Sequence, residues 1–528
     1  MKRMLSLAIC FVLVVGLFSG CGGSKTEEAQ PFKVGYAKGN VTPSSPSYLG
    51  GFFDPNERLS NTVMDPINAT CVAFTDPAGT TVLLFGLDLL YIDTSLFNMI
   101  RNTISKEHNI PAENILFSAT HTHSAPHQDS ANFEANDRIT TTCILIAKQA
   151  LDDRKPAQMY GTFTRPEGLN FVRHYVLSDG TYLGKGIGYF PKDELIGHVH
   201  KADNLLQMIK FTREGGKDVI ITNWQAHYRS ATEVNYNGIS ADYPGIYKQT
   251  LEQLLDCHAA FVLGGSGNLN STSHVTGLTT TADYVEHGKK LAEHAVEAAK
   301  NFQPLELGNI HIKEEILKVE GNKNYCPLYV LGFGDFACAF APFEIFDTNA
   351  KAVREDSDWK YTFYASCSYG SYGNGYLPDA LAFTYSCYEA YGPADKNKPY
   401  ETYKEIEYGS RYTKFPDGTA EVLQEKLTSM LDSIFTESGN EVKQRDPGYM
   451  SEEFVPVSDG KVYTNLTPGD ASKVTEGKSG MYCMQLLAEN NKIKNILILN
   501  KEVADKMVQQ PTMKLLFDER NVVVGIAE

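Results

Sequence analysis

Residues 114–127 read NILFSATHTHSAPH. A short apolar run ends in small residues, then two histidines one position apart and a third four positions later. A buried strand bounded by polar residues predicts a strand over NILFSATHTH. In a strand, residues i and i+2 point to the same side, so His121 and His123 are expected to leave its carboxyl end together. In α/β sheets that end is where ligand crevices form, and neutral imidazole is a good zinc ligand.

The surrounding segments alternate in the same way. TTVLLFGLDLLYI (80–92) reads as a buried strand, and TSLFNMIRNTISKEH (94–108) follows with helical spacing after a polar start. A long helix is expected near 133–152. NLLQMIKFTREGGKDVIITNWQAHY (204–228) reads as two strands joined by a Glu-Gly-Gly-Lys turn. A helix near 243–256, the strand HAAFVLGG and a helix near 281–301 continue the pattern. The fold class that results is α/β, a mixed sheet covered on both sides. The polar stretch ESGNEVKQRDPGYM (437–450) is the expected boundary, with a small β-rich accessory region over 441–528.

The chain has 528 residues, 42% of them hydrophobic, and a formal charge of −16. Such length supports a large core in one or two domains. The acidity argues against a nucleic-acid partner, because phosphate contacts need clustered Lys and Arg. MKRMLSLAICFVLVVGLFSGCGGSK opens with basic residues, an apolar run and a small-residue region. Its apolar run is short for a membrane span. LFSGC resembles a bacterial lipobox, with Phe18 less usual at its position. The expectation is a signal peptide over 1–20, lipidation at Cys21, and a polar tether over 21–31. The protein would then be exported and held at the bacterial cell envelope, at the membrane surface, by a lipid anchor. The remaining eight cysteines are scattered without a C-x-x-C pair, so no zinc knuckle or redox motif is read.

Two further segments bring chemistry. VIITNWQAHYRSAT places His227 just past a buried strand. CAFAPFEIFDTNAK places Glu344 between an apolar run and a helix start, where a carboxylate needs a cation nearby or serves as a helix cap. YGSYGNGYLPDALAFTYSCYEAYG is a loop dense in Tyr and Gly that presents phenols or packs them.

Together these residues resemble the neutral/alkaline (non-lysosomal) ceramidase family. The carrying motifs are VGYAKGNVTPSSPSYLGGF, LDLLYI, ILFSATHTHSAPH, LNFVRHYVLSDG, NWQAHYRS, GGSGNLN, APFEIF and GNGYLPD…YEA, in the family's order over roughly 32–436. The resemblance implies a mixed-sheet zinc hydrolase domain of neutral ceramidase type over 32–440. It implies Zn2+ held by His121, His227, Glu344 and Tyr376. It implies His123 and Tyr388 as groups that meet the reacting carbonyl or leaving amine, and Arg173 as a substrate contact. The implied activity is zinc-dependent hydrolysis of the amide of ceramide or another N-acyl lipid or small amide. One motif departs: the family's Gly-Asp-Val-Ser-Pro-Asn is Gly267-Asn268-Leu269-Asn270-Ser271-Thr272 here, so its serine falls on Asn270 unless Ser271 is shifted into place. His127 has no role in the pattern.

Two other readings stand beside this one. A different metallohydrolase, acting on esters or amides, also uses His-x-His; a metallo-β-lactamase site would need an Asp where this chain has HTHSAPH. A surface lipoprotein binding lipids or glycans without turnover has no reason to keep His121, His227, Glu344 and Tyr376 together.

Overall fold

In the computed structural model the described residues are 30–443, apart from 53–57, 178–181, 185–193, 228, 276–277, 279–282, 320–323, 372–373, 380–381, 383–386, 392–412 and 417, together with the backbone of six strands between 467 and 527. The leader, Cys21 and most of the tether lie outside the described residues. Among the described residues no helix is long and apolar enough to cross a membrane.

A nine-stranded mixed sheet organises the chain. Its order runs His258–Leu263, Gly216–Trp224, Leu206–Arg213, Lys155–Thr164, Lys33–Asn40, Asn68–Thr75, Thr81–Leu87 and Ile115–Ala119, with Gln303–Leu305 added on Lys155–Thr164. The pairs at the two ends, Thr81–Leu87 with Ile115–Ala119 and Gly216–Trp224 with His258–Leu263, are parallel, and those between them are antiparallel. Both parallel pairs are rich in β-branched residues, Leu and Phe, and apart from their first residues they are buried, as strands covered on two faces must be. The sheet also folds over on itself. The Tyr36 hydroxyl donates to Ala259 O at 3.1 Å, and a Cβ on Gly86 would lie 3.0 Å from Phe261 O.

A second sheet, His311–Ile316, Pro327–Phe333, Phe336–Phe340 and Tyr361–Ala365, pairs its last two strands in parallel. Leu423, Leu427, Leu431 and Ile434 of the helix Thr419–Glu437 join its buried cluster with Leu328 and Val330. The Asn223 amide ties the two sheets: it donates to Val262 O and Tyr364 O, both at 2.9 Å, and accepts from Tyr364 N. Ser366 N then reaches Leu263 O and Ala119 N reaches Cys367 O. The carboxyl ends of strands from both sheets therefore converge on one point.

The helices Thr94–His108 and Phe133–Asp152 have the bounds their spacing predicts. The first is capped by Asp93, which accepts from Leu96 N at 2.7 Å, and turns off through left-handed Asn109. Two strands are shorter than their apolar runs. Thr81–Leu87 stops before Asp88 because Leu89 and Leu90 turn their carbonyls toward His121. Ile115–Ala119 stops two residues before His121. Strands also occur at Met481–Leu487 and Ile493–Asn500, paired antiparallel, and at Lys514–Phe517 and Val522–Ala527.

Candidate metal centre

His121 is held by its backbone before its ring does anything. Thr120 N bonds Leu87 O, His121 N bonds Leu89 O, and His121 sits at φ 64. A non-glycine residue there carries strain of about 1–3 kcal/mol that surrounding bonds must offset. The alternation expected of a strand is thus broken: His121 and His123 come together through a loop, their rings 5.0 Å apart and perpendicular.

Ring chemistry follows from the partners. His121 Nδ1 lies 2.8 Å from Leu90 O. A carbonyl only accepts, so Nδ1 carries a hydrogen, and in the neutral ring Nε2 carries the lone pair. That Nε2 faces Glu344 Oε2 at 3.1 Å. Two acceptors at this distance need a proton or a metal ion on the line between them. Nearby, His123 Nε2 and His227 Nε2 are 2.9 Å apart, and only one of the two can donate. One nitrogen from each of the three histidines lies within 4.8 Å of the others. All three rings are buried. Burial pushes His121 down, but the Cys367 thiol and the Glu344 carboxylate outweigh it and hold it well above the ordinary imidazole value. Burial first, then His121, Arg229 and Arg58, hold His123 well below it. Imidazole nitrogens and a carboxylate converging in one site are a donor set that fits zinc.

Glu344 does not cap a helix, since the helix Asp347–Glu355 is preceded by Phe346 as its cap residue. Instead Glu344–Ile345 pairs in parallel with Tyr376–Leu377, which sets Glu344 and Tyr376 side by side. The Tyr376 ring stacks at 6.5 Å from the His227 ring. The structure therefore gathers His121, His227, Glu344 and Tyr376, and puts His123 among the ring nitrogens rather than beside them.

Arg173 is buried, not on the surface. Its Nε donates to Glu389 Oε1 at 2.5 Å and an NH2 donates to Gly267 O at 2.5 Å. The guanidinium carbon is 5.3 Å from the Tyr376 ring centroid, and Arg173 donates a hydrogen bond to the Tyr376 hydroxyl oxygen. Glu389 also lies 2.9 Å from His174 Nε2. Its burial raises the carboxyl, but Arg173 and then His174 hold it far below the usual range. The Tyr388 backbone lies in the short helix Tyr388–Tyr391; its phenol falls outside the described residues.

The departing motif has structural duties. Asn268 exchanges bonds with Asp347, donating to Oδ1 at 2.7 Å and accepting from Asp347 N at 2.9 Å. Asn270 pairs with Phe171, and the Ser271 hydroxyl meets Ser230 Oγ at 2.8 Å. His127 is buried, with Nδ1 3.1 Å from Asp129 Oδ2.

Three contributors have little signal in the sequence. The Cys367 sulfur is 3.6 Å from His121 Nδ1, and Cys367 too has a left-handed backbone, φ 47. Arg58 donates to the carbonyls of His123, Gly50 and Tyr236 from between the rings of Phe52 and Tyr236. Gly51, at φ 100, leaves no room for a side chain: a Cβ would lie 2.4 Å from His123 Nδ1. Only the Gly-Gly pair of YLGGF flags such a close approach.

The fold is ceramidase-like. A crystal structure of neutral ceramidase from Pseudomonas aeruginosa superposes with a TM-score of 0.59 at 14% identity, covering 87% of this chain and 84% of that one. A structure described as ceramidase complexed with C2 superposes with the same score and identity, covering 88% and 85%. No protein-family model and no curated protein matches the sequence.

Proposed function

We propose that the chain is a zinc-dependent hydrolase that cleaves the amide of ceramide or another N-acyl lipid. The observation that carries this reading is His121 Nε2 facing Glu344 Oε2 at 3.1 Å, beside the opposed nitrogens of His123 and His227. The ceramidase-like fold and the resemblance of the motifs support it. His121, His227, Glu344 and Tyr376 would hold the ion. Zinc at such a site supplies Lewis acidity for a carbonyl and brings the pKa of water from 15.7 to about 7. His123 is assigned as the group that passes a proton to the leaving amine. Arg173 keeps the Tyr376 phenol in position from below, with Glu389 fixing Arg173. Tyr388 is assigned as a donor to the reacting carbonyl oxygen. The exported, lipid-anchored reading rests on the leader and Cys21, and the division at 440 on composition.

The test is elemental analysis of the purified chain from residue 25 onward, together with hydrolysis of a fluorogenic short-chain ceramide. One zinc per chain with turnover is the expected result. Zinc without turnover moves the substrate to other amides or esters. No metal and no turnover after zinc is supplied favours a binding lipoprotein.

A further inference from the structure

A second reactive arrangement lies at the strand pair Phe171–Val172 with Leu269–Asn270. His198 Nε2 is 2.9 Å from Ser273 Oγ, and His198 Nδ1 bonds Val172 O. Because a carbonyl accepts only, the hydrogen is on Nδ1 and the lone pair on Nε2, so the serine hydroxyl donates to the ring. The ring is clamped between aromatic neighbours, stacked at 5.6 Å on Phe171 and tilted at 5.1 Å on Tyr175. Both Ser273 and His198 remain partly open to solvent. Val275 N donates to the same hydroxyl oxygen at 3.1 Å, which fixes the serine rotamer.

These are the elements of an activated hydroxyl: a nucleophile on a base, and the base oriented by a third group. We propose that Ser273 is a nucleophile activated by His198, able to accept the acyl group of a carboxylic ester. In that step the Ser273 Oγ–C bond forms and the ester C–O bond breaks. The hydroxyl proton passes to His198 Nε2 and from there to the departing alkoxide. Water then releases the acid by the reverse course, with His198 again taking the proton. The dyad uses none of the residues that gather at His121, so it does not rest on the metal reading.

The experiment is labelling of the full chain with an alkyl fluorophosphonate, with and without a chelator, read by peptide mass spectrometry. Oγ replaces fluoride at phosphorus, and the proton leaves with the fluoride. The expected result is one adduct, on Ser273, equal in both conditions. Ser273→Ala, which removes one oxygen, should abolish it without moving Tm. His198→Gln should slow it by at least about 100-fold. An adduct elsewhere, no adduct on the folded wild-type chain, loss on chelation, or an unchanged rate in His198→Gln would each overturn the proposal. Chelation that stops amide hydrolysis while labelling persists separates this site from the metal centre.

Discussion

Two carboxylates lie near Tyr376, Glu389 fully buried and Glu344 partly buried, and they are provided for in opposite ways. Glu389 receives Arg173 at 2.5 Å and His174 at 2.9 Å, so its charge is met by a permanent cation within the fold. Glu344 Oε2 instead faces His121 Nε2 at 3.1 Å. His174, Cys387 and Glu389 also have ligand-type atoms within 4.8 Å, yet Arg173 already occupies the electrostatic role of an ion there. The comparison separates a cluster built around an arginine from one whose facing acceptors are closed by a proton or a metal ion. Burial and polarity alone do not distinguish them; the inventory of donors and acceptors does.

The comparison can be broken most sharply at Glu389. Glu389→Ala leaves Arg173 buried and uncompensated, and should cost about 3–5 kcal/mol in urea unfolding. A loss under about 1 kcal/mol would show that the cluster does not depend on its ion pair. Next, zinc should stabilise the wild-type chain by about 2.7 kcal/mol at one hundred times its Kd. His227→Ala should abolish that gain while leaving the zinc-free chain folded; a gain that persists would place the ion elsewhere. Gly51→Ala pushes on the His123 ring without touching Glu389, and should lower metal affinity or turnover about 10–100-fold. Unfolding free energy provides the control that the fold survives.

The last effect is one of pH and concerns the scaffold behind Thr122. Asp242, buried at φ 53, accepts from Ala231 N and Tyr243 N, and burial pushes it up to about 7. Its folded value lies above its unfolded one, so the native state keeps a proton the unfolded chain releases. Stability should therefore fall as pH rises from about 4 to about 7, by at most about 1.4 kcal/mol per unit. Asp242→Asn should flatten that slope.

Much of the scaffold was legible. Helical spacing places Thr94–His108 and Phe133–Asp152, and β-rich apolar runs place Gly216–Trp224 and His258–Leu263. The residues around the candidate ion stood out because histidines and a glutamate directly after apolar runs are costly without a partner. Period-two alternation failed for His121 and His123, because left-handed backbone at His121 overrides it. Sheet order was not legible either. Which carboxyl ends meet depends on the Asn223 amide linking two sheets across 141 residues of chain, and no local pattern encodes that. The burial of Arg173 was not legible because its partner, Glu389, is 216 residues away.

The left-handed turn at His121 sets a direction for sequence change. Glycine, and to a lesser degree asparagine, adopts that backbone at lower cost. A chain freed from its chemistry would gain stability by losing this ring, so position 121 is where decay into a mere scaffold should begin. The histidine is a standing load on the fold, about 1–3 kcal/mol of backbone strain that the bonds at Thr120 and His121 must offset.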